Sequence, residues 1–346
     1  MNPAHVAEGT LPRVSVLMPV RNEVKFIDES LGAVLAQDYP AELMEIFVID
    51  GMSTDGTREA VGALQASHPR LYLVDNPRKI VPTGMNIAIR RANGEILVRV
   101  DGHCTIARDY VSRCVAHLRN DGVDGVGGPV RTVGATRAAR VIALAMSSKF
   151  GVGGSAFRTV ADRTMLADTV PFPAYTRAIV QRAGPYDEEL VRNQDDEYNY
   201  RLRKLGAKLL LASDVSSEYY SRSSLRSLWR QYYQYGYWKV RVLQKHPRQT
   251  SVRQFVPATL VFSLLVATVF CLAVPPWGIV VLGGIVCAYL GANLVASVFT
   301  AGRENLDLLP LLPVTFVVLH FSYGLGFLRG LVRFRKRWGD RSVAAW

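Results

Sequence analysis

Short apolar runs alternate with helically spaced segments over the first two thirds of the chain; long uncharged apolar runs replace them in the last third. Val14-Ser15-Val16-Leu17-Met18-Pro19 predicts a strand stopped by proline. Residues 26–36 carry the i, i+3, i+4 spacing of a helix, and Asp38-Tyr39-Pro40 is a stop signal. Further strands are expected at 46–49, 71–74 and 96–100, with helices at 57–67 and 85–92 between them. Gly127-Gly128-Pro129-Val130 begins another strand, and 198–205 reads as a helix behind an acidic first turn. Strands separated by helices imply an α/β fold whose mostly parallel sheet is covered on both faces.

From Phe255 the composition changes. Segments 255–274, 277–300 and 308–328 hold no charged residue, and each is long enough to cross a hydrocarbon core about 30 Å thick, which takes about 20 helical residues. Three parts follow: a disordered tail at 1–11, an α/β domain at 12–245, and a membrane domain at 246–346 that ends in a basic tail. Two crossings return the chain to its starting side. A full third crossing would export Arg329, Arg333, Arg335, Lys336, Arg337 and Arg341, against the positive-inside tendency. Pro310, Pro313, Gly324 and Gly326 allow the third segment to dip in and return, or to tilt. Both topologies remain open, with the front domain expected on the cytoplasmic face of the inner membrane.

Charge narrows the partners. Lys and Arg outnumber Asp and Glu by 41 to 29, a formal +12. That balance suits phosphate-bearing ligands or an anionic bilayer. No aromatic-studded basic motif or zinc-finger spacing is present, so nucleic acid is not an expected partner. The four cysteines show no C-x-x-C spacing and read as reduced thiols. The first residues lack the basic-then-apolar pattern of a signal peptide.

Two strand-like runs each end in an acid that opens a loop: Ile46-Phe47-Val48-Ile49-Asp50 and Ile96-Leu97-Val98-Arg99-Val100-Asp101. Ligands of open α/β sheets bind beyond the carboxyl ends of the strands, where such acids hold a hydroxyl, an N–H or a cation. The plainer reading makes Asp50 and Asp101 turn or helix caps. Asp101-Gly102-His103 sets a carboxylate and an imidazole two residues apart across a glycine, so a tight turn lets both face one cation. Such a pair suits Mn²⁺, while Mg²⁺ prefers oxygen; otherwise His103 is an ordinary loop histidine. Lys79, Thr83, Gly84 and Asn86 lie in a loop leading into a helix. Lys79 is either a contact to a phosphate-bearing ligand or a solvated charge; Asn86 orients the ligand or the loop. Gly151-Val152-Gly153-Gly154-Ser155-Ala156-Phe157-Arg158 reads as a mobile loop with a gating or ligand-contacting role, and Arg158 is suited to a phosphate-bearing ligand. Residues 225–242 are rich in aromatic and basic side chains, as in an interfacial helix.

The ordered set of motifs resembles glycosyltransferase family 2, the inverting GT-A enzymes. It comprises Pro19-Val20-Arg21-Asn22-Glu23, Asp50-Gly51-Met52-Ser53-Thr54-Asp55-Gly56-Thr57, Asp101-Gly102-His103, Gln194-Asp195-Asp196, and Gln231-Tyr232-Tyr233-Gln234-Tyr235-Gly236-Tyr237-Trp238. Within that family the chain looks most like the membrane-bound glucosyltransferases of succinoglycan and related exopolysaccharide assembly. The resemblance implies a GT-A fold, a UDP-sugar donor and a divalent cation, Mn²⁺ or Mg²⁺, held at Asp101 and His103. It implies that Asp50 accepts from uracil or ribose, with Pro19, Arg21 and Glu23 lining the same pocket and Asn22 shaping the loop. It makes Asp195 the general base, with Asp196 in reserve, and sets Gln231, Tyr235 and Trp238 near the acceptor and nucleotide. Gln194 departs from the family's Glu, and the usual Arg-Trp pair is not intact. An acidic first helical turn is the structural alternative for this cluster.

The expected activity is metal-dependent, inverting transfer of a hexose, glucose by the nearest likeness, from a UDP-sugar to a polyprenyl-diphosphate-linked oligosaccharide. The rivals are a processive polysaccharide synthase, which needs more membrane helices, and a non-catalytic membrane scaffold with a retained GT-A fold.

Overall fold

A computed structural model describes residues 10–160 and 162–342; the tail expected at 1–11 lies, except for its last two residues, outside them. The first half builds β1 (Val14–Val20), α1 (Ile27–Leu35), β2 (Met44–Asp50), α2 (Thr57–Gln65), β3 (Leu71–Asp75), α3 (Val81–Arg91) and β4 (Ile96–Arg99). The sequence expects α3 from residue 85. It starts at Val81 because Pro82 in its first turn presets the helical φ and needs no N–H partner. Next come β5 (Cys104–Ile106), α4 (Tyr110–Asn120), β6 (Gly125–Gly127), β7 (Val130–Val133), α5 (Arg137–Met146), α6 (Lys149–Val152) and α7 (Ala156–Thr159). The domain is completed by β8 (Met165–Leu166), β9 (Ala174–Thr176), α8 (Arg177–Ala183), α9 (Gln194–Lys204), β10 (Leu209–Leu211), β11 (Ser217–Tyr220) and α10 (Leu225–Lys245).

Eight strands form one sheet in the order β3-β2-β1-β4-β9-β6-β10-β8, and β5-β11-β7 form a smaller one. Strands β3, β2, β1 and β4 pair in parallel; β9 runs against its neighbours β4 and β6. Alternation along β1 and β4 sends Val14, Val16, Met18, Ile96 and Val98 to one face, against α1 and α4. Leu17 and Leu97 go to the other, against α3, α8 and α9. Both faces are therefore dry, which is why these strands read as continuous apolar runs. The sheet order reverses beside β1, so a crevice opens beyond the carboxyl ends of β1 and β4.

The last third forms α11 (Val256–Ala273), α12 (Pro275–Ala301), a 3-10 stretch (Leu306–Leu311) and α13 (Leu312–Arg333). All three helices are long and apolar enough to cross a membrane, yet they differ in setting. Forty-four per cent of the most apolar stretch of α13 is buried within the protein, against 17 % for α11 and 6 % for α12. Helix α13 lies along α10, and glycines make the approach possible. A Cβ on Gly326 would stand 2.0 Å from the Tyr233 carbonyl, and one on Gly236 would stand 2.0 Å from that of Tyr323. Gly324 meets Pro257 of α11 in the same way, at 2.4 Å. Glycines read from sequence as points of bending thus serve as contact points between straight helices.

Both ends of α13 also touch the α/β domain. At its start, Arg137 donates to the Asp307 carbonyl at 2.5 Å, and His320 Nε2 lies 2.9 Å from the Phe150 carbonyl. Beyond its end, Gln244 donates to the Phe334 carbonyl at 2.8 Å, and Arg241, fully buried in α10, bridges Glu189 at 2.8 Å and Asp340 at 2.7 Å. Lys245 and Arg337 join the same cluster around Glu189. Partial burial works against the Glu189 charge, but hydrogen bonds from Arg241 and Lys245 outweigh it and hold the carboxyl down to about 2. A depressed carboxyl contributes stability that is complete above its ordinary 4.5 and lost as pH falls towards about 2. Replacing Glu189 by Gln leaves three cations facing a neutral amide. We expect a loss of about 2 to 4 kcal/mol, below the value for a fully buried pair. Thermal unfolding in detergent checks this: the wild-type melting point should fall between pH 4.5 and 2, and that of Glu189→Gln should fall less over the same interval.

Candidate active site

The crevice beyond β1 and β4 is the mouth of a cleft of about 1420 Å³. Its floor comes from strand ends, one wall from the start of α9 and the middle of α10, and its far end from α11, α12 and α13. Pro19, Arg21, Glu23, Lys79, Asp101, His103, Arg158, Gln194, Asp195, Gln231 and Tyr235 all line it, so residues spread over some two hundred positions meet in one space.

On the β1 side the turn is locked before any ligand arrives. Asn22, at φ 55°, accepts from the Thr54 N–H at 3.0 Å, and its own N–H donates to Ser53 Oγ at 2.8 Å. Asn22 therefore shapes the loop. Asp50 ends β2 fully buried; Oδ2 accepts from Arg58 at 2.7 Å and from the Ser53 N–H at 2.9 Å, while Oδ1 is buried with no partner. Ile49 and Gly51 line the cleft, but Asp50 does not.

The decisive side chain is Arg99, the last residue of β4. Buried at 6 % exposure, it clasps Asp101 through Nε at 2.8 Å and NH2 at 3.3 Å, and donates through NH1 to Asp195. One guanidinium thus joins the expected metal acid to the expected base. Burial opposes its charge, but Asp101 and Asp195 outweigh that and raise its pKa further. Burial likewise pushes the Asp195 carboxyl up, Arg99 pulls it back, and the net direction is upward. Gln194, 4 % exposed, donates to Asp195 at 3.3 Å and keeps an unpartnered buried Oε1. A Glu there would repel Asp195; the amide supports it. Asp196, next in sequence, is taken by the buried ammonium of Lys239.

His103 Nδ1 lies 2.8 Å from Glu23 Oε1, and Nε2 has no hydrogen-bond partner among the described residues. A carboxylate that accepts a hydrogen bond from Nδ1–H fixes the tautomer with a lone pair on Nε2, the usual arrangement behind a metal-bound imidazole. Gly102 permits it: a Cβ there would stand 2.9 Å from both Glu23 Cγ and Val20 Cγ1. Asp101 and His103 fit a divalent cation on this donor chemistry. Among the described residues no group of three or more His, Cys, Asp and Glu side chains is gathered to cage one, so two protein ligands would leave positions for phosphate oxygens and water.

Besides Asp50, two expected residues lie outside the lining. Asn86, 1 % exposed, spends its amide on the Tyr186 backbone and Glu188, tying α3 to the loop before α9. Trp238 packs on Tyr237 and Phe334 outside the cleft lining, because that face of α10 meets the chain beyond α13. The glycine loop is pinned rather than free: Arg253 donates to the Gly153 and Gly154 carbonyls at 3.2 and 3.1 Å, and Phe150 packs against Phe316 and His320. Arg99 has no role in the sequence reading, although a lone charge in an otherwise apolar strand, in phase with Asp101, is the signal that marks it.

Comparison with known proteins identifies the family. Residues 15–183 match the model of glycosyl transferase family 2. Over 327 residues the chain is 32 % identical to the succinoglycan biosynthesis protein ExoA of Rhizobium meliloti (strain 1021), covering 93 % of this chain and 96 % of that one. The chain belongs to glycosyltransferase family 2. This transferase is also 26 % identical, over 92 % of its length and 97 % of the relative's, to the dolichyl N-acetyl-alpha-D-glucosaminyl phosphate 3-beta-D-2,3-diacetamido-2,3-dideoxy-beta-D-glucuronosyltransferase of Methanococcus voltae. In fold it resembles the mannosyltransferase PcManGT from Pyrobaculum calidifontis, solved with GDP-Man and Mn²⁺, at a TM-score of 0.59 and 23 % identity, covering 92 % and 88 % of the two chains. The GT-A class and the three apolar C-terminal helices follow as expected.

The Glu23–His103 pair generates a test on the transferase. Mn²⁺ titration followed by electron paramagnetic resonance, with UDP present, should give an apparent Kd raised about 10- to 100-fold in Glu23→Gln, the usual size of a supporting-shell loss. His103→Ala should lose at least as much. Unchanged Mn²⁺ affinity in both variants would remove His103 from the cation site.

Proposed function

We propose that this transferase moves a hexose, in our reading glucose, from a UDP-sugar to a polyprenyl-diphosphate-linked oligosaccharide, with inversion and with a divalent cation, in exopolysaccharide or surface-glycan assembly. The observation that carries the proposal is the clasp of Asp101 and Asp195 by Arg99 inside a cleft that also reaches the apolar helices. An aqueous donor and a lipid-borne acceptor need such a two-ended space. The names of the relatives in Rhizobium and Methanococcus support a glycan and a lipid-phosphate acceptor, and the Mn²⁺ in the Pyrobaculum neighbour supports the cation.

In this reading Pro19, Arg21, Glu23 and Lys79 bound the donor, and Asp50 lies behind them with an unpartnered Oδ1 available to a base or ribose donor. A cation held by Asp101 and His103 would offset charge on the departing diphosphate. Asp195 removes the proton of the acceptor hydroxyl as that oxygen attacks the anomeric carbon opposite the leaving group. Its raised pKa strengthens it as a base, while Arg99 and Gln194 keep it ionised and aimed. Gln231, whose amide donates to the Tyr235 hydroxyl at 2.9 Å, and Arg158 bound the acceptor side.

The membrane arrangement follows from α13. We infer that α11 and α12 cross the bilayer as a hairpin and that α13 lies at the interface along α10, its two ends on the side of the catalytic domain, taken as the cytoplasmic face of the inner membrane. The basic residues after α13 then stay inside, as the positive-inside tendency asks.

Purified protein with Mn²⁺, UDP-glucose and a polyprenyl-diphosphate-linked saccharide should release UDP, and Asp195→Asn should lower kcat about 100- to 10,000-fold, the range for a general base. Equal turnover by wild type and variant would remove Asp195 from the chemistry. In a cysteine-free background, single cysteines at Arg303 and Arg341 should react with an impermeant maleimide from the same membrane side; labelling from opposite sides would make α13 a third crossing.

A further inference from the structure

Beside Asp195 the cleft wall holds two polar atoms that the protein leaves without partners. Gln194 donates from Nε2 to Asp195, and its Oε1 is buried with no hydrogen bond. Tyr186, 2 % exposed, also lines the cleft, and its hydroxyl has no hydrogen-bond partner among the described residues. The neighbouring phenols differ: Tyr175 donates to Asn199 Oδ1 at 2.7 Å, and Tyr198 donates to the Gly184 carbonyl at 3.2 Å. The Tyr186 phenol is near enough to Arg99 and Asp195 for both charges to act on it. Burial pushes it well above its ordinary range, Tyr198 and Asp195 add to this and Arg99 opposes it, so the O–H is kept. Asn76 and Tyr232 also bring unpartnered oxygens to the lining, but Asn76 follows β3 and Tyr232 sits on α10 among Arg158, Tyr219 and Tyr235. Tyr186 and Gln194 are set apart by bordering the expected base.

Both side chains are held in place before a ligand arrives. The Tyr186 N–H donates to Asn86 Oδ1 at 2.7 Å, its carbonyl accepts from Asn86 Nδ2 at 2.9 Å, and its ring stacks on that of Tyr198 at 3.9 Å and 7°. Asn86 belongs to α3, so the clamp sets Tyr186 on the wall that Lys79, Ile80 and Val81 continue. Gln194 opens α9 behind Asn193, which holds φ 61° and donates to the Tyr235 carbonyl at 2.8 Å. A protonated phenol has one hydrogen bond to donate, and an amide oxygen only accepts. A hydroxyl between them satisfies both, accepting from the phenol and donating to Oε1. A phosphate oxygen has nothing to donate, and an ammonium has nothing to accept with. Polar groups left unpaired in a closed site are costly, so a ligand that carries this hydroxyl is preferred over one that lacks it.

We propose that Tyr186 and Gln194 are specificity-determining residues of this transferase, holding one hydroxyl of the donor hexose between the phenol O–H and the amide Oε1 at the side of Asp195. The assignment deepens the donor reading of the cleft and rests on it. Contacts to the nucleotide and the cation hold any sugar carried on the same diphosphate alike. The pair beside Asp195 is where one hexose is told from another.

Isothermal titration calorimetry of the full-length protein in detergent with Mn²⁺, using UDP, UDP-glucose and its 2-, 3-, 4- and 6-deoxy analogues, tests the pair. Wild type should bind UDP-glucose more tightly than UDP, and one deoxy analogue about 25-fold more weakly than UDP-glucose, the size of two hydrogen bonds. Tyr186→Phe and Gln194→Met should each weaken UDP-glucose about 5-fold, one bond apiece. Their UDP affinity should stay within about 2-fold of wild type, which also shows that the nucleotide end of the cleft is folded. In the double variant the sensitive analogue and UDP-glucose should bind alike, a readout that a merely structural role would not move. Discrimination kept in full by the double variant, equal losses for UDP and UDP-glucose, or a wild type that distinguishes none of these ligands would overturn the pair. Discrimination lost in the double variant, without sugar transfer to any lipid-linked acceptor by wild type, would uphold the pair while removing the transfer reading. UDP release that depends on Asp195, with discrimination intact in the double variant, would do the reverse.

Discussion

A buried guanidinium at the end of a central strand holds two carboxylates that chain connectivity alone would leave apart. Arg99 and Asp101 belong to the strand beside the sheet's reversal, whereas Asp195 belongs to the first turn of α9, nearly a hundred residues later. Like charges so placed repel, and only a cation between them makes the arrangement stable. The Asp101 and Asp195 side chains are 22 % and 45 % exposed, so breaking the clasp costs less than the about 3 to 5 kcal/mol of a fully buried pair. The clasp therefore fixes where α9 starts and how Gln194 meets Asp195. Asp196 is paired in turn with Lys239 of α10.

A second set of charges does the corresponding task on the membrane side. Glu189 gathers Arg241, Lys245 and Arg337, and Asp340 closes the cluster from beyond α13. Glu197 adds Arg201 and His246 at 2.8 Å each. These pairs bind α9 to α10 and α10 to the chain after α13. The glycine contacts along α13 then hold the apolar helices in a fixed relation to the acids. The proposed reaction requires that rigidity, since in it a lipid-borne hydroxyl must arrive within hydrogen-bond reach of Asp195.

The strands were legible in the sequence because both faces of the sheet are buried, which makes β1, β2 and β4 plain apolar runs. The order of motifs pointed to the family, and the cleft lining contains most of the residues that order singled out. What the sequence hid depends on distance along the chain. Nothing local shows that Arg99 reaches Asp195, that Glu23 serves His103, or that Asn86 is used up by Tyr186 and Glu188. Trp238 and Tyr235 look alike in an aromatic helix, yet one faces Phe334 and the other the cleft, a choice made by the partner helix. For α13, apolar length gives the capacity to cross a membrane; burial against α10 is decided by glycines whose partners lie some ninety residues away.

The most direct test is a double-mutant cycle on UDP release with Arg99→Met, Asp195→Asn and the combination. If Arg99 works through Asp195, the double variant should be no slower than Asp195→Asn alone, within about 3-fold. Losses that multiply, with each substitution acting in full on the background of the other, would contradict the clasp as the centre of the site.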